Sequence, residues 1–245
     1  MTGVILVCRM SSSRLPGKTL MDFGGQPLLA HIVARIEKAG VERSRIVVCT
    51  STSDDDAAIV DAAASLGCKH YAGSLDNVSK RILGAADAYG YEDFLLILGD
   101  NVWIDPRQIG SVLEKTESSA FDYIVTATPE LAFRPDSEPF YPIGTRIQYI
   151  RTAFMKGRLT ELDNEEVQEH ASKLFSCLPA GTRYTTIYTQ DGLSKPVVGD
   201  LNISINTRDD YDLALAALDH VGDPLAPTTA VTEFYLNDRS LNQEY

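Results

Sequence analysis

Gly3-Val4-Ile5-Leu6-Val7-Cys8-Arg9-Met10-Ser11-Ser12-Ser13-Arg14-Leu15-Pro16-Gly17-Lys18-Thr19-Leu20 decides how the chain is read. Its first six residues form a continuous apolar run, as a parallel strand buried on both faces should. Three cations and three consecutive serines follow in a segment without helical periodicity. A turn of this composition directly after a strand offers backbone N–H groups, hydroxyls and point charges, the groups that hold a polyphosphate.

Outward from this stretch, strand and helix patterns alternate. Pro27 opens a helical pattern ending at Gly40, and Arg45–Thr50 reads as the next strand. A helix is predicted over Asp54–Leu66, with Ser53 as N-cap and Gly67 as C-cap. Lys69–Ala72 is a short strand, Asn77–Tyr89 a helix, Asp93–Leu98 a buried strand, Pro106–Lys115 a helix and Tyr123–Ala127 a strand. This order predicts a three-layer α/β/α architecture with a mostly parallel sheet. Ligands of such sheets bind at the carboxyl ends of the strands, where both Arg9–Lys18 and Gly99-Asp100 fall.

The alternation then fails. Pro129–Pro196 reads as an insertion holding strands at Thr145–Ile150 and Arg183–Tyr188 and a helix at Asn164–Phe175. A closing strand, Leu201–Ile205, and helix, Arg208–Val221, complete one domain over residues 1–223 with an insertion at 129–196. Residues 224–245 are expected to be a polar C-terminal tail, in which Val231–Leu236 could add an edge strand.

Composition narrows the function. A net charge of -12 repels phosphate backbones and argues against nucleic acid as a partner. Against that background Arg9, Arg14 and Lys18 suit a small polyanion. No apolar run reaches the ~20 residues of a membrane span. The run Gly3–Cys8 is too short for a signal peptide, so a cytoplasmic protein is expected. Cys8, Cys49, Cys68 and Cys177 form no CxxC pair and read as reduced thiols. The four scattered histidines argue against zinc. Gly17-Lys18-Thr19 matches the end of a P-loop, but Ser12 stands where its first glycine belongs and no helix follows directly.

Arg9–Leu20, matching R-x-S-S-S-R-L-P-G-K-x-L, and Gly24–His31, matching G-G-x-P-L-L-x-H, resemble the N-terminal signature of the cytidylyltransferases that activate acidic sugars, the SpsF-type group above all. Later segments follow in the same order: Tyr71–Arg81, Leu98–Pro106, Tyr141–Gly144, Glu169-His170 and Ile205–Tyr211. The resemblance implies a Rossmann-like, GT-A-like nucleotidyltransferase sheet with an inserted α+β arm. It also implies transfer of CMP from CTP to an acidic sugar (a nonulosonic or octulosonic acid) in surface polysaccharide biosynthesis, with pyrophosphate released. Related nucleotidyltransferases act on phosphonates or alditol phosphates.

By that resemblance Arg9, Ser12, Arg14 and Lys18, with Met10, Ser11 and Ser13 of the same loop, hold the triphosphate, and Lys18, Arg14 and Asp100 act in catalysis. Asp76, Asn77, Val78 and Arg81 lie near base and ribose, Asp100 and Asn206 hold Mg²⁺, and Gly144, Glu169 and His170 face the acceptor. A homodimer is implied as well. The residues alone leave other roles open: Asp76, Asp100 and Asn206 could each cap a helix, His170 could lie on a helix face, and Trp103 could fill core. The chain departs from the group at Asn206, where the group carries aspartate. Asp209, Asp210 and Asp200 are the carboxylates nearby. Asn101 and Val102 replace Cys-Pro, and Gln148 and Gln168 replace an acid and an arginine. These departures point to a different acceptor or to a nucleotide-binding protein that has lost catalysis.

Overall fold

The computed structural model describes residues 2–118, 121–129, 140–158, 174–175, 178–189 and 201–242. Seven strands form one sheet: β1 (Gly3–Val7), β2 (Ile46–Ser51), β3 (Lys69–Gly73), β4 (Asp93–Leu98), β5 (Tyr123–Thr126), β6 (Gln148–Arg151) and β7 (Tyr184–Ile187). Their spatial order is β3-β2-β1-β4-β6-β5-β7. The first four neighbours run parallel, β6 runs antiparallel to both β4 and β5, and β7 is parallel to β5. The sheet is therefore mostly parallel, as the alternation predicts.

The helices are α1 (Leu28–Lys38), α2 (Ala57–Ser65), α3 (Val78–Ala88), α4 (Pro106–Ser118), α5 (Thr152–Lys156), α6 (Arg208–Val221) and α7 (Thr228–Asn242). Successive strand residues point to opposite faces, and β1 feeds two cores. Val4 and Leu6 join a cluster with apolar residues of α1, α2, α4, α6 and α7, whereas Ile5 joins one with α3 and α5. This is the three-layer arrangement.

Three expectations are corrected. The Val231–Leu236 stretch adds no edge strand: it lies within α7, whose Val231 and Tyr235 are buried in the larger core. Val231, Thr232, Phe234 and Tyr235 are residue types that strands also favour, but Val231 and Tyr235, four apart, share the helix face that the core accepts. Asp105 anchors both nearby helix starts, its Oδ1 accepting from Arg107 N at 2.8 Å and its Oδ2 from Thr228 N at 3.0 Å. The predicted strand Leu201–Ile205 makes only a bridge between Asn202 and Ile143, because Ser204 N and Oγ both donate to Asn202 Oδ1 and bend the chain. Ser53 caps no helix with its side chain; a 3-10 turn over Asp54–Asp56 precedes α2. Within the stretch 129–196, β6 and β7 belong to the main sheet. The predicted helix Asn164–Phe175 lies almost wholly outside the described residues.

The core also holds a cation. Arg35 is fully buried on α1 and donates to the carbonyls of Ile104, Pro224 and Ala226 at 2.7–2.9 Å. It lies over the Trp103 ring at 5.5 Å, and Trp103 is itself core. Arg35 thus ties the segment after β4 to the chain entering α7.

Candidate functional site

Two strand ends meet first. Gly99 N donates to Val7 O at 2.8 Å, continuing the β1–β4 ladder. A Cβ at Gly99 would lie 2.6 Å from Cys8 Sγ and 2.9 Å from Val7 O, so only glycine lets the two ends approach this closely. The Arg9–Lys18 loop and Asp100 consequently leave the sheet side by side, at its carboxyl edge.

The loop folds on itself. Met10 O accepts from Ser12 N at 2.8 Å and from Gly17 N at 2.9 Å. Gly17 has φ +75, the left-handed region that glycine adopts without penalty. A 3-10 turn, Lys18–Leu20, follows, and α1 begins only at Leu28, which is not P-loop geometry. Asp56 pins the loop from beneath. Its Oδ1 accepts from Met10 N at 2.7 Å and its Oδ2 from Ser51 N at 3.0 Å and Ser51 Oγ at 2.5 Å. Burial raises the Asp56 carboxyl, but these donors outweigh it and hold the group below the usual carboxylate range. Sequence reasoning missed Asp56. The available signal was an aspartate just past β2, at the same sheet edge.

Lys18 closes the loop against the last part of the chain. Its Nζ donates to Ile205 O at 2.7 Å and lies 3.9 Å from Asp100 Oδ2. Burial lowers the Lys18 pKa, opposed by the Asp100 charge. Ile205 N donates to Asp100 O at 3.0 Å, which sets residue 206 next to Asp100. Asp100 Oδ1 is buried without a hydrogen-bond partner. Asn206 Nδ2 donates to Ser204 Oγ at 2.7 Å. Asp210 is occupied elsewhere: its Oδ2 accepts from Asn206 N and Thr207 N, completing the capping box of α6. Thr207, not Asn206, therefore caps that helix, and Asp200 lies outside the described residues.

These groups surround a cleft of about 330 Å³. Of the residues predicted from sequence, Arg9, Ser12, Ser13, Arg14, Lys18, Val78, Arg81, Asp100 and Asn206 line it. Met10 and Ser11 are not in the lining, and Met10 acts through its backbone. Asp76 is exposed and outside the lining. Asn77 is turned to α3, its Oδ1 accepting from Lys80 N at 2.8 Å, so Asn77 rather than Asp76 is the helix cap. Arg81 is 1% exposed and donates to Ser74 O, bracing the segment before α3. Gly144, with φ +93, packs against Ser204 and does not line the cleft. Glu169 and His170 lie outside the described residues.

Cys8 also lines the cleft, but burial holds its thiol protonated, far above the usual range, so it is no ready nucleophile. Cys8, Cys49 and Cys68 are free and buried, and Cys177 is outside the described residues. Among the described residues no group of three His, Cys, Asp or Glu side chains converges on a metal position. None of the described helices is long and apolar enough to cross a membrane.

A cleft carrying basic and hydroxyl side chains thus opens at the carboxyl edge of a mostly parallel sheet, where α/β proteins of this kind bind their ligands. The chain belongs to the cytidylyltransferase family, whose model matches residues 3–135. It is 37% identical over 134 residues to a 3-deoxy-manno-octulosonate cytidylyltransferase of Nitrobacter winogradskyi, a match covering 53% of this chain and 51% of that protein. The chain thus spans about half the length of that relative. It is 23% identical over 226 residues to the spore coat polysaccharide biosynthesis protein SpsF of Bacillus subtilis, covering 89% of this chain and 87% of that one. A solved structure, a cytidylyltransferase from Leptospira borgpetersenii, superposes with a TM-score of 0.80 at 17% identity, over 98% of this chain and 95% of that one.

Proposed function

We propose that the chain transfers CMP from CTP to a hydroxyl of an acidic sugar, releasing pyrophosphate, in surface polysaccharide biosynthesis. The observation that carries this is Lys18, held between Ile205 O and Asp100 at the foot of the Arg9–Arg14 loop. Attack at the α-phosphorus forms a bond to the acceptor oxygen and breaks the bond to the β-phosphate oxygen. Charge gathers on the non-bridging oxygens and on the departing pyrophosphate. Arg9, Ser12, Arg14 and Lys18 would offset that charge, with Met10, Ser11 and Ser13 supplying the turn. Val78 and Arg81 would border the base and ribose, and Asp76 and Asn77 would shape the segment beside them. The protonated Cys8 thiol favours direct transfer without a covalent intermediate.

The cleft fits Mg²⁺ as a cofactor. Asp100 Oδ1 is a buried oxygen without a donor, and Asn206 beside it contributes an amide, oxygen chemistry that suits a hard cation. Bound there, Mg²⁺ would neutralise phosphate oxygens. Gly144, Glu169 and His170 are assigned to the acceptor side. We place the protein in the cytoplasm as a homodimer, with neither nucleic acid nor membrane as a partner; its charge of -12 argues against a phosphate backbone.

The test is pyrophosphate release from CTP and Mg²⁺ with nonulosonic and octulosonic acids, phosphonates and alditol phosphates, alongside CTP calorimetry. No turnover and no CTP binding would overturn the proposal. Asn206, where the family resemblance expects a second carboxylate, favours a second reading, a nucleotide-binding protein that regulates or scaffolds the pathway. CTP binding without turnover on any acceptor selects that reading. Sedimentation at micromolar concentration tests the dimer.

A further inference from the structure

Among the described residues two amides line the cleft, those of Gln148 and Asn206. The first is held from another strand: Tyr123 OH donates to Gln148 Oε1 at 2.8 Å. Asn206 is held by its own segment. Ile143 N donates to Leu201 O and Ile203 N donates back to Ile143 O, both at 2.9 Å, so the chain on either side of Asn202 is clamped to the segment before β6. Ser204, 7% exposed, packs against Gly144, where a Cβ would lie 2.5 Å from Ser204 N and 2.8 Å from Ser204 Cβ. Ser204 therefore has little room to shift.

Three hydrogen bonds then determine which way the Asn206 amide faces. Ser204 N is a backbone donor. It donates to Asn202 Oδ1 at 2.9 Å, which fixes that atom as the oxygen of its amide. Ser204 Oγ lies 2.6 Å from the same oxygen, and of the two only the hydroxyl has a hydrogen, so Ser204 gives its one hydrogen to Asn202. Ser204 Oγ can then only accept. Its partner 2.7 Å away must be the nitrogen of Asn206. Nδ2 is thereby turned to Ser204, and Oδ1 is the end left for the cleft. The bond from Ile205 N to Asp100 O at 3.0 Å keeps residue 206 beside Asp100. Asn202, where the relay begins, is exposed and not in the lining.

We propose that Asn202 and Ser204 are positioning residues, a relay that holds the carbonyl oxygen of Asn206 towards a divalent cation at Asp100 and so lets an amide stand in for a carboxylate. This rests on the reading of Asp100 and Asn206 as the Mg²⁺ position. A hard cation accepts one end of an amide and not the other: the oxygen carries lone pairs, whereas the nitrogen offers only hydrogens. A carboxylate presents oxygen whichever way it turns. Asn206 does so only while Ser204 takes its nitrogen.

The test uses the full chain with Mn²⁺ as the probe, and reads the Kd for CTP by calorimetry with and without the cation. The wild type should bind CTP more tightly with Mn²⁺. Ser204→Ala removes the acceptor for Nδ2 and frees the amide to turn. It should raise the Kd in Mn²⁺ about tenfold, the loss typical when a group that orients a metal ligand is removed. The metal-free Kd should stay within about twofold, showing that the variant folds. Asn202→Ala frees the Ser204 hydroxyl to donate to Asn206 Oδ1 and should give a smaller loss of the same kind. Asn202→Asp keeps both accepted hydrogens and should match the wild type. If Ser204→Ala loses metal-free CTP binding, the two variants at the exposed Asn202 decide alone. Equal changes with and without Mn²⁺, an unchanged Kd in both alanine variants, or an Asn202→Asp protein as weak as Asn202→Ala would each overturn the relay. A wild type that binds CTP equally with and without Mn²⁺ would instead remove the metal position, and one that binds no CTP would remove the reading of the cleft, in either case taking this proposal with it.

Discussion

Lys18 Nζ and the carbonyl oxygen of Ile205, 187 residues apart in the chain, are joined by a 2.7 Å hydrogen bond. The bond aims a half-buried ammonium between the loop after β1 and Asp100, and it makes the position of the loop depend on the segment entering α6. Lys18→Met retains the stem and removes the charge. Pyrophosphate release should fall about 10²–10³-fold, the loss typical when one charge-stabilising donor is removed. The unpaired Ile205 carbonyl should also cost about 1–3 kcal/mol of stability. Initial rates at saturating CTP and a denaturant titration read the two effects separately.

Asp56 should act on the nucleotide through the loop alone. Asparagine in its place can accept at one oxygen but turns an N–H towards a neighbour, where the aspartate met the donors Met10 N, Ser51 N and Ser51 Oγ. Asp56→Asn should therefore raise the Kd for CTP about tenfold, through a loop no longer held, with the acceptor KM little changed. The native carboxyl is held below its usual pKa. Its stabilisation is accordingly complete above the usual carboxylate range and is lost as pH falls through the folded value. Calorimetric CTP titration of the variant at neutral pH decides the point.

How much of this was legible follows from distance along the chain. Arg9, Ser12, Ser13, Arg14 and Lys18 are contiguous after a strand, so the fold rule and the motif both placed them on the cleft that the structure shows. Asp100 was legible for the same reason, as the residue two past β4. Asp56 and the Tyr123–Gln148 pair depend on contacts between residues 46 and 25 positions apart, which no local pattern announces. Asn77 was placed near the nucleotide by resemblance alone, and its capping of α3 rests on a bond from Lys80 N that the structure adds. The Val231–Leu236 stretch reads as strand or helix on its own, and only the core it packs into, shared with α1, α4 and α6, makes its helical spacing meaningful.

His31 predicts an acid-sensitive core. It is 1% exposed, with Nε2 against Val102 O at 3.1 Å and Nδ1 without a partner, and it packs edge-on against Trp103. Burial first, and the Arg35 charge second, lower its pKa to about 3. The unfolded chain takes up a proton near pH 6.5, the ordinary histidine value, while the folded chain does not until about pH 3. Stability therefore falls as pH drops below 6.5, by about 2 kcal/mol at pH 5 from this group. His31→Gln can still donate to Val102 O and has nothing to titrate there. Its denaturation midpoint should vary less between pH 7 and 5 than the wild type's, and parallel pH profiles would show that His31 is not the source.

Asn206→Asp tests the far side of the metal position. In the native chain Asn206 Nδ2 donates to Ser204 Oγ at 2.7 Å, and Ser204 Oγ donates to Asn202 Oδ1 at 2.6 Å. A carboxylate at 206 has no hydrogen to give, so the Ser204 hydroxyl must turn towards it and leave Asn202, which keeps only the backbone bond from Ser204 N. That rearrangement should cost about 1 kcal/mol of stability. The added negative charge beside Asp100 should strengthen divalent-cation binding. A gain on the order of tenfold, or ~1.4 kcal/mol, is what one more carboxylate at a partly hydrated site supplies. The half-saturating Mg²⁺ concentration for pyrophosphate release should fall accordingly. An unchanged Mg²⁺ dependence, with the stability loss present, would show that residue 206 faces Ser204 and not the metal.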